Sequence, residues 1–275
     1  MKRYIFVLFT LLALTVFSGC KKDKGEPPVL PPAGSMTIDF RNFEVKTKDG
    51  SLSSGVKANP ITNWQFAAGT ALIWKAIIAT TLAVPVYSFQ LVHQNNTPVY
   101  LDDNTWQWKY SVSLLNVTYS ARLTGQILAD DVRWKMFISR EGAGGFEEFL
   151  WFEGVSEKDG SQGQWTFYES HLEKVPVLQI DWAVTGNKVG QVKYTYIKTG
   201  NPFKDSYIKF GLVTGELDAF YEIHFYNTTS LQFYDVDVQW STTTNNGRVR
   251  CQAQFGDTDW HCWDSHFSNV SCTKD

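Results

Sequence analysis

The pattern of apolar and polar residues predicts one helix followed by a long series of strands. Residues 60–84, PITNWQFAAGTALIWKAIIATTLAV, place apolar side chains on nearly every helical face, which is typical of a buried or membrane-embedded helix. Thr62 or Asn63 is suited to cap its start, and Pro85 predicts its end, so we expect a helix over about residues 62–84. Lys75 within the run favours burial in the protein over a membrane span.

After Pro85 the pattern changes to runs rich in valine, threonine and aromatic residues, separated by turn residues. Strands are predicted over 86–94, 105–115, 117–127, 131–140, 148–156, 162–170, 176–185, 190–198, 205–213, 218–226, 233–241 and 247–254. No helical pattern interrupts them, so crossover connections are not expected. The predicted fold is mainly β, an antiparallel meander of about 11–12 strands curled into a barrel or half-barrel. The long apolar helix is expected to pack on or in it.

Two hairpins can be tested by their register. A turn at residues 115–116 pairs Trp108 with Leu123 on an apolar face and Ser111 with Ser120 on a polar face. A one-residue slip would mix the two faces, so the pattern supports a sheet with one dry and one wet side.

The second hairpin joins 218–226 to 233–241 and produces a candidate polar cluster. Glu222 falls opposite Asp237 and His224 opposite Asp235, all on one face. Carboxylates beside a histidine can bind a divalent cation or perform acid–base chemistry. The alternative is a solvated outer face.

The chain is rich in aromatic residues, with 19 Phe, 12 Tyr and 11 Trp. Most are expected in the core, because aromatic side chains suit strands and fill barrels. Phe137, Trp151 and Tyr168 fall on the second face of their strands. They predict a candidate aromatic wall for a lipid tail or a sugar ring.

The N-terminus has the pattern of an export signal over residues 1–19. Lys2 and Arg3 precede an apolar stretch, residues 4–17, that is shorter than the roughly 20 residues of a membrane span. Ser18 and Gly19 stand directly before Cys20, and this arrangement resembles the lipobox of bacterial lipoproteins, with Phe17 where that family more often has leucine. The resemblance implies that Cys20 is the lipid-modified first residue of the mature chain.

Residues 20–35 are rich in proline and lysine and predict an extended tether. Lysine and acidic residues after the cysteine are similar to those of Bacteroidota outer-membrane lipoproteins, which implies the outer membrane, either face of it. Residues 36–275 are then expected to form a single β domain. The net charge of −3 becomes −5 once Lys2 and Arg3 leave with the signal, and a mildly acidic chain argues against nucleic acid as a partner.

Three cysteines remain in the exported domain, where a disulfide is expected. Cys262 and Cys272 flank a short loop and are the predicted pair, which leaves Cys251 as a buried thiol. A pair between Cys251 and either of the other two is the alternative that spacing leaves open.

Other patterns give no firm chemistry. The segment DTDWHCWDSH, 257–266, is dense in possible metal ligands but matches no zinc spacing. A glycosidase carboxylate pair could come from Glu147, Glu148, Glu153, Glu169 and Asp181. We assign no catalytic residue, no metal and no cofactor.

The predicted architecture resembles lipocalin-like barrels and the half-barrel carriers of lipoproteins. This resemblance implies a binding protein rather than an enzyme, with a lipid or other apolar small molecule held between helix and sheet. The alternatives are a cell-surface module that binds glycan or an envelope protein through exposed aromatics, and a hydrolase built on carboxylates.

Overall fold

A computed structural model describes residues 24–44, 61–94, 97–114 and 116–273. The predicted export signal and Cys20 lie outside these residues. Two short 3₁₀ turns, Ala33–Met36 and Arg41–Phe43, precede helix α1, Asn63–Val92, and a one-turn helix α2, Gln252–Phe255, lies near the C-terminus.

In the described part of the chain, strands in sequence order form one antiparallel meander, each paired with the next. They are β1 Val99–Tyr100, β2 Thr105–Leu114, β3 Val117–Ile127, β4 Asp131–Arg140, β5 Phe146–Glu157, β6 Gln162–Tyr168, β7 Pro176–Thr185, β8 Lys188–Tyr196, β9 Tyr207–Leu212, β10 Ala219–Asn227, β11 Gln232–Trp240, β12 Gly247–Arg250, β13 His261–Trp263 and β14 Asn269–Val270.

The predicted fold class is confirmed: the chain is mainly β, its sheet is an antiparallel meander that does not close, and one long helix accompanies it. The sheet gains three very short strands that the pattern did not predict, β1, β13 and β14. The prediction of a strand over 247–254 is wrong beyond Arg250, because the chain turns there into α2.

Both tested registers are confirmed. Trp108 lies opposite Leu123 and Ser111 opposite Ser120 in the β2–β3 hairpin. In the β10–β11 hairpin Glu222 lies opposite Asp237 and His224 opposite Asp235. Strand β4 shows the alternation most clearly, since Val132, Trp134, Met136 and Ile138 are buried.

The predicted end of α1 is wrong, and so is the predicted strand over 86–94. The capping box at Thr62 and Gln65 starts the helix as expected, but the helix continues through Pro85 to Val92. Pro85 removes one helical hydrogen bond, at a cost of about 3 kcal/mol. Burial of Phe89 against the rings of Phe152 and Trp165 compensates for it, so tertiary packing overrides the local stop signal.

Helix α1 lies across the open side of the curled sheet. It contacts β2 near one edge of the sheet and β12 and β13 near the other. The Asn63 side chain donates a hydrogen bond to the Cys262 carbonyl, 2.9 Å, and its backbone N–H donates to Asn269. The sheet is therefore a half-barrel, and α1 spans the gap between its two edges.

The concave face is filled by residues 28–44, here called the N-terminal strap. Pro28, Pro31 and Ser35 are buried, so the expectation that residues 20–35 form a free tether is wrong from Pro28 onward. Met36 and Phe43 are also buried in the core. The folded domain therefore begins before residue 36.

Three side chains of the sheet hold the strap by hydrogen bonds. The Trp165 indole N–H donates to the Ser35 hydroxyl, 3.2 Å, and the Tyr194 hydroxyl donates to the Met36 carbonyl, 2.6 Å. The Tyr221 hydroxyl donates to the Asp39 carbonyl. Backbone groups of an irregular segment need such partners when they are buried, so these bonds make the buried strap possible.

Tryptophan rings on the concave face lie opposite glycines of neighbouring strands. Trp134 pairs with Gly125, Trp165 with Gly154, Trp182 with Gly163, and both Trp240 and Trp263 with Gly247. A Cβ atom at any of these glycines would overlap the facing indole ring or an adjacent backbone atom. The glycines therefore provide the space that the large rings occupy.

The predicted disulfide joins Cys262 and Cys272, and Cys251 is a buried free thiol. Burial raises the pKa of the Cys251 thiol. The bridge closes the loop that carries β13 and β14, at the sheet edge that contacts the start of α1.

A glycine-to-alanine pair tests the tryptophan–glycine packing. Gly154→Ala should lower the free energy of unfolding by about 1–3 kcal/mol, because the methyl group overpacks against Trp165 and the Gln164 carbonyl. Gly69→Ala, on the exposed side of α1 with nothing near its Cβ position, should raise it by about 0.5–1 kcal/mol. Urea denaturation checks both, and equal effects would contradict the packing argument.

A second pair tests the strap. Phe43 contacts Tyr221 and Trp240, with ring centroids 5.4 and 4.9 Å away. Phe43→Ala should lower the free energy of unfolding by about 3–5 kcal/mol. Phe203→Ala, at a side chain 42% exposed, should change it by less than about 1 kcal/mol. A small effect at Phe43 in the same denaturation experiment would show that the strap is not part of the core.

Candidate functional site

An open crevice of about 1290 Å³ lies between the N-terminal strap and the inner face of β8, β9 and β11. Val192, Phe210 and Trp240 form its floor. At one end Trp64 of α1 packs on Phe267, with ring centroids 4.4 Å apart. The crevice thus has an apolar floor and an aromatic end wall.

Charged and amide groups surround this floor. Arg41 and Asp39 form a two-bond ion pair, with Nε–Oδ1 and Nη2–Oδ2 distances of 2.9 and 2.6 Å. Lys188, Glu44 and Asp218 also line the crevice. Both signs of charge are present. The rim therefore suits an amphipathic molecule with a neutral or zwitterionic end better than a molecule with a high net charge.

The crevice runs beside the strap: strap residues between 32 and 44 line it, while separated hydrogen bonds hold the strap to the rest of the fold. Tyr221 binds the strap at Asp39, and the Asn42 amide donates to the Asn245 side chain, 2.7 Å. Burial raises the pKa of Tyr194 and of Tyr221 far above the ordinary range of a phenol. Burial therefore favours the protonated form in which both hydroxyls donate to the strap.

A smaller apolar groove of about 240 Å³ lies between α1 and the strap. Its walls are mainly aliphatic: Met36 and Ile38 on the strap face Ile78, Leu82 and Val86 on the helix. The predicted space between helix and sheet is thus divided. The groove beside the helix is small, and Trp64 is the one α1 residue among the described residues that line the larger crevice.

The candidate polar cluster is assembled as the register predicted, but each acidic group has a basic partner. His224 Nδ1 lies 2.7 Å from Asp235, Arg250 Nε donates to Asp237 at 2.7 Å, and Lys209 Nζ lies 3.1 Å from Glu222. In the described part of the chain no group of three or more His, Cys, Asp or Glu side chains is placed to hold a metal ion. The arrangement is that of a paired outer face.

His224 is also part of a ladder of rings across the outer face. Its ring stacks between Tyr207, at 5.5 Å, and Phe233, at 4.4 Å and nearly parallel. Lys193 covers the other face of Tyr207, with Nζ 4.0 Å from the ring centroid. Because these ring faces are stacked on one another, the stacked faces are not open to an external sugar ring.

The three residues of the candidate aromatic wall do not form a continuous wall. The Arg122 guanidinium lies over Phe137, with its carbon Cζ 4.1 Å from the centroid of the phenyl ring. Trp151 packs on Phe146 and Phe149 beside a bulge in the β4–β5 pairing. The Tyr168 hydroxyl donates to Glu153, 2.6 Å, and desolvation together with that carboxylate raises the pKa of Tyr168 to about 12.

Three of the other candidate carboxylates are held by structural partners. Glu148 pairs with Arg122, Glu169 with Lys198, and Asp181 accepts from Gln164 and Gln179. Where a carboxyl pKa departs from its ordinary value it is lowered, as at Asp39, Glu148 and Asp218. A glycosidase acid needs the opposite shift.

In the 257–266 segment His261 bonds Asp257, 2.9 Å, and stacks on Phe255, while Asp264 accepts from the backbone N–H of Ser268. These contacts stabilise the loop internally.

The residues of the crevice were not predicted from the sequence. The alternation of Met36, Ile38 and Phe40 before α1 is the signal that could have placed the strap inside the sheet.

Comparison of the chain with protein-family models, with curated proteins and with solved structures finds no significant match.

The Asp39–Arg41 pair on the crevice rim gives a pH prediction. The hydrogen bonds from Arg41 lower the pKa of Asp39, so the folded state favours the carboxylate, and this contribution to stability is present above the unfolded carboxyl pKa of about 3.9. It is lost as the pH falls through the lower folded value.

Asp39→Asn should therefore be less stable than the wild type near neutral pH, by less than about 1 kcal/mol because the pair is partly exposed. The difference should shrink as the pH falls below about 4. Urea denaturation of both proteins between acid and neutral pH measures it, and a difference independent of pH would contradict this assignment.

Proposed function

We propose that the protein is a lipid-anchored envelope protein that binds a small amphipathic molecule in the crevice, without catalysis. The crevice of about 1290 Å³, with its apolar floor and mixed-charge rim, is the observation that carries the proposal. Ligand sites are concave, mostly apolar and provided with a few polar groups, and their volumes run to about 1000 Å³. The space is sufficient for the apolar part of a lipid-sized molecule.

The orientation of a ligand follows from the lining. Its apolar part would lie on Phe210, Val192 and Trp240, beside Trp64. Its polar end would meet Arg41 and the other charged groups of the rim, where both signs of charge favour a neutral or zwitterionic group. Anchorage through Cys20 at the outer membrane remains part of this proposal and is supported by the lipobox resemblance.

The two alternative functions have less support in the geometry. A glycan-binding face needs free ring faces, whereas the outer ladder at Tyr207, His224 and Phe233 stacks its rings on one another. A carboxylate hydrolase needs a raised carboxyl pKa beside a second carboxylate. The shifted carboxyl groups, Asp39 and Glu148 among them, move the other way.

The test uses the fluorescent apolar probe N-phenyl-1-naphthylamine with the full chain. Leu212 lines the crevice on β9, so Leu212→Trp fills part of it and should raise the probe Kd about tenfold or more. Leu172→Trp makes the same change at a side chain that is 82% exposed and should leave the Kd unchanged. Thermal unfolding of both variants checks that they fold.

Native mass spectrometry of the detergent-free protein should also show a bound lipid-class molecule that Leu212→Trp loses. If the wild type binds no probe, or if the two tryptophan variants bind it equally well, the crevice is not the site.

A further inference from the structure

Helix α1 has an exposed apolar face that the described residues leave uncovered. Ile73, Ile77 and Tyr87 are 60%, 39% and 39% exposed. With a rotation of about 100° per residue they fall on one stripe. The smaller exposed members of this face are Ala76, Thr80 and Ala83.

This face carries no charge. Lys75 is the one charged residue between Asn63 and Val92, and its ammonium group is paired with Glu44 of the strap. By length and composition α1 could cross a membrane, yet only a third of its most apolar window is buried in the protein. A contiguous exposed apolar face is typical of a contact with another apolar phase or molecule.

The opposite face of α1 is fixed to the half-barrel. Trp74, Leu82 and Phe89 are buried in the core, and the Tyr110 hydroxyl donates to the Ser88 carbonyl, 2.5 Å. The helix cannot leave the sheet without exposing these side chains. A contact along its length is therefore compatible with the fold, whereas a transmembrane orientation is not.

The strap passes the C-terminal end of this helix. The His93 side chain, next to the end of α1, donates a hydrogen bond to the Pro31 carbonyl. Lys24 Nζ lies 6.0 Å from the ring centroid of Tyr100. Cys20 precedes Lys24 by four residues, which span at most about 14 Å. A lipid on Cys20 would thus hold the Tyr87 end of the apolar face near a bilayer.

The apolar surface extends from the helix into the groove beside it. Ala83 and Tyr87 belong to both the exposed face and the lining of the 240 Å³ groove. The surface available to acyl chains is therefore broader than one helical stripe.

We infer that the exposed face of α1 lies on the surface of the bilayer to which Cys20 is anchored. The inference rests on the lipid anchor of the proposed function and is independent of ligand binding in the crevice. The anchor holds the protein at the membrane, and the helix face fixes its orientation there.

The test places an environment-sensitive bimane label on the full-length lipidated protein reconstituted in phosphatidylcholine–phosphatidylglycerol vesicles. One variant carries Ile77→Cys on the apolar face. The other carries Val155→Cys on β5, a matched position that is 41% exposed. Labelling without reductant leaves the Cys262–Cys272 disulfide intact, and the buried Cys251 is protected.

Brominated phosphatidylcholine should quench most of the emission of the label at position 77 and little of the emission at position 155. Aqueous iodide should give the reverse order. Equal quenching at the two positions by bromolipid would overturn the inference. Protection of position 77 from both quenchers would also overturn it, since a second copy or another protein would then cover the face.

Mass spectrometry of the N-terminal peptide separates the two failures. An unmodified Cys20 would remove the basis of the inference and of the anchor together. A lipidated Cys20 without bromolipid quenching at position 77 would overturn membrane contact by α1 alone, and probe binding in the crevice would be unaffected.

Discussion

The packing of large indole rings against glycines is the constraint on which the half-barrel depends. A concave sheet crowds the side chains on its inner face, and tryptophan is the largest of them. Trp134, Trp165, Trp182 and Trp240 each have a glycine directly across the strand pair. Glycine without a facing ring weakens a strand, and the ring restores the lost contact. The sheet can therefore curl strongly and still have a dense core.

The strap completes this core and also creates the crevice. It carries irregular backbone into the concave space, where unpaired N–H and C=O groups are costly. Trp165, Tyr194 and Tyr221 supply the missing hydrogen bonds from the sheet. The strap occupies only part of the concave space, and the crevice is the volume that remains beside it. The same residues thus account for stability and for a place where a ligand can bind.

The acidic groups of the polar cluster on the outer face are paired with basic side chains. The crevice and the exposed face of α1, in contrast, leave apolar surface available. Asp235, Asp237 and Glu222 each have a cationic or histidine partner, and such surface pairs contribute little to stability. The crevice and the exposed face of α1 lie on the side of the sheet that the strap and helix cover. A membrane contact by α1 would bring the crevice-bearing domain close to the lipid phase, which is consistent with an amphipathic ligand.

The local features of the fold could be predicted because they depend on period and turn chemistry. The β2–β3 and β10–β11 registers follow from a side-chain alternation that admits one pairing. The pairing of Cys262 with Cys272 is likewise local, since few residues separate them. Of the candidate site, the sequence placed Glu222, His224, Asp235 and Asp237 together correctly, but it did not reveal Lys209 and Arg250 beside them.

Features that depend on distant contacts could not be read from neighbouring residues. Pro85 is a local stop signal, and α1 passes it because Phe89 packs against strands far along the chain. Residues 28–35 have the composition of a linker, yet Ser35 is buried by a bond to Trp165. The sequence by itself determined the order and pairing of the main strands, β2 to β12, since hydrogen-bonded hairpins are short-range. Only the tertiary structure decided what fills the curled sheet and what it leaves open, because burial in a concave space depends on all the elements that share it.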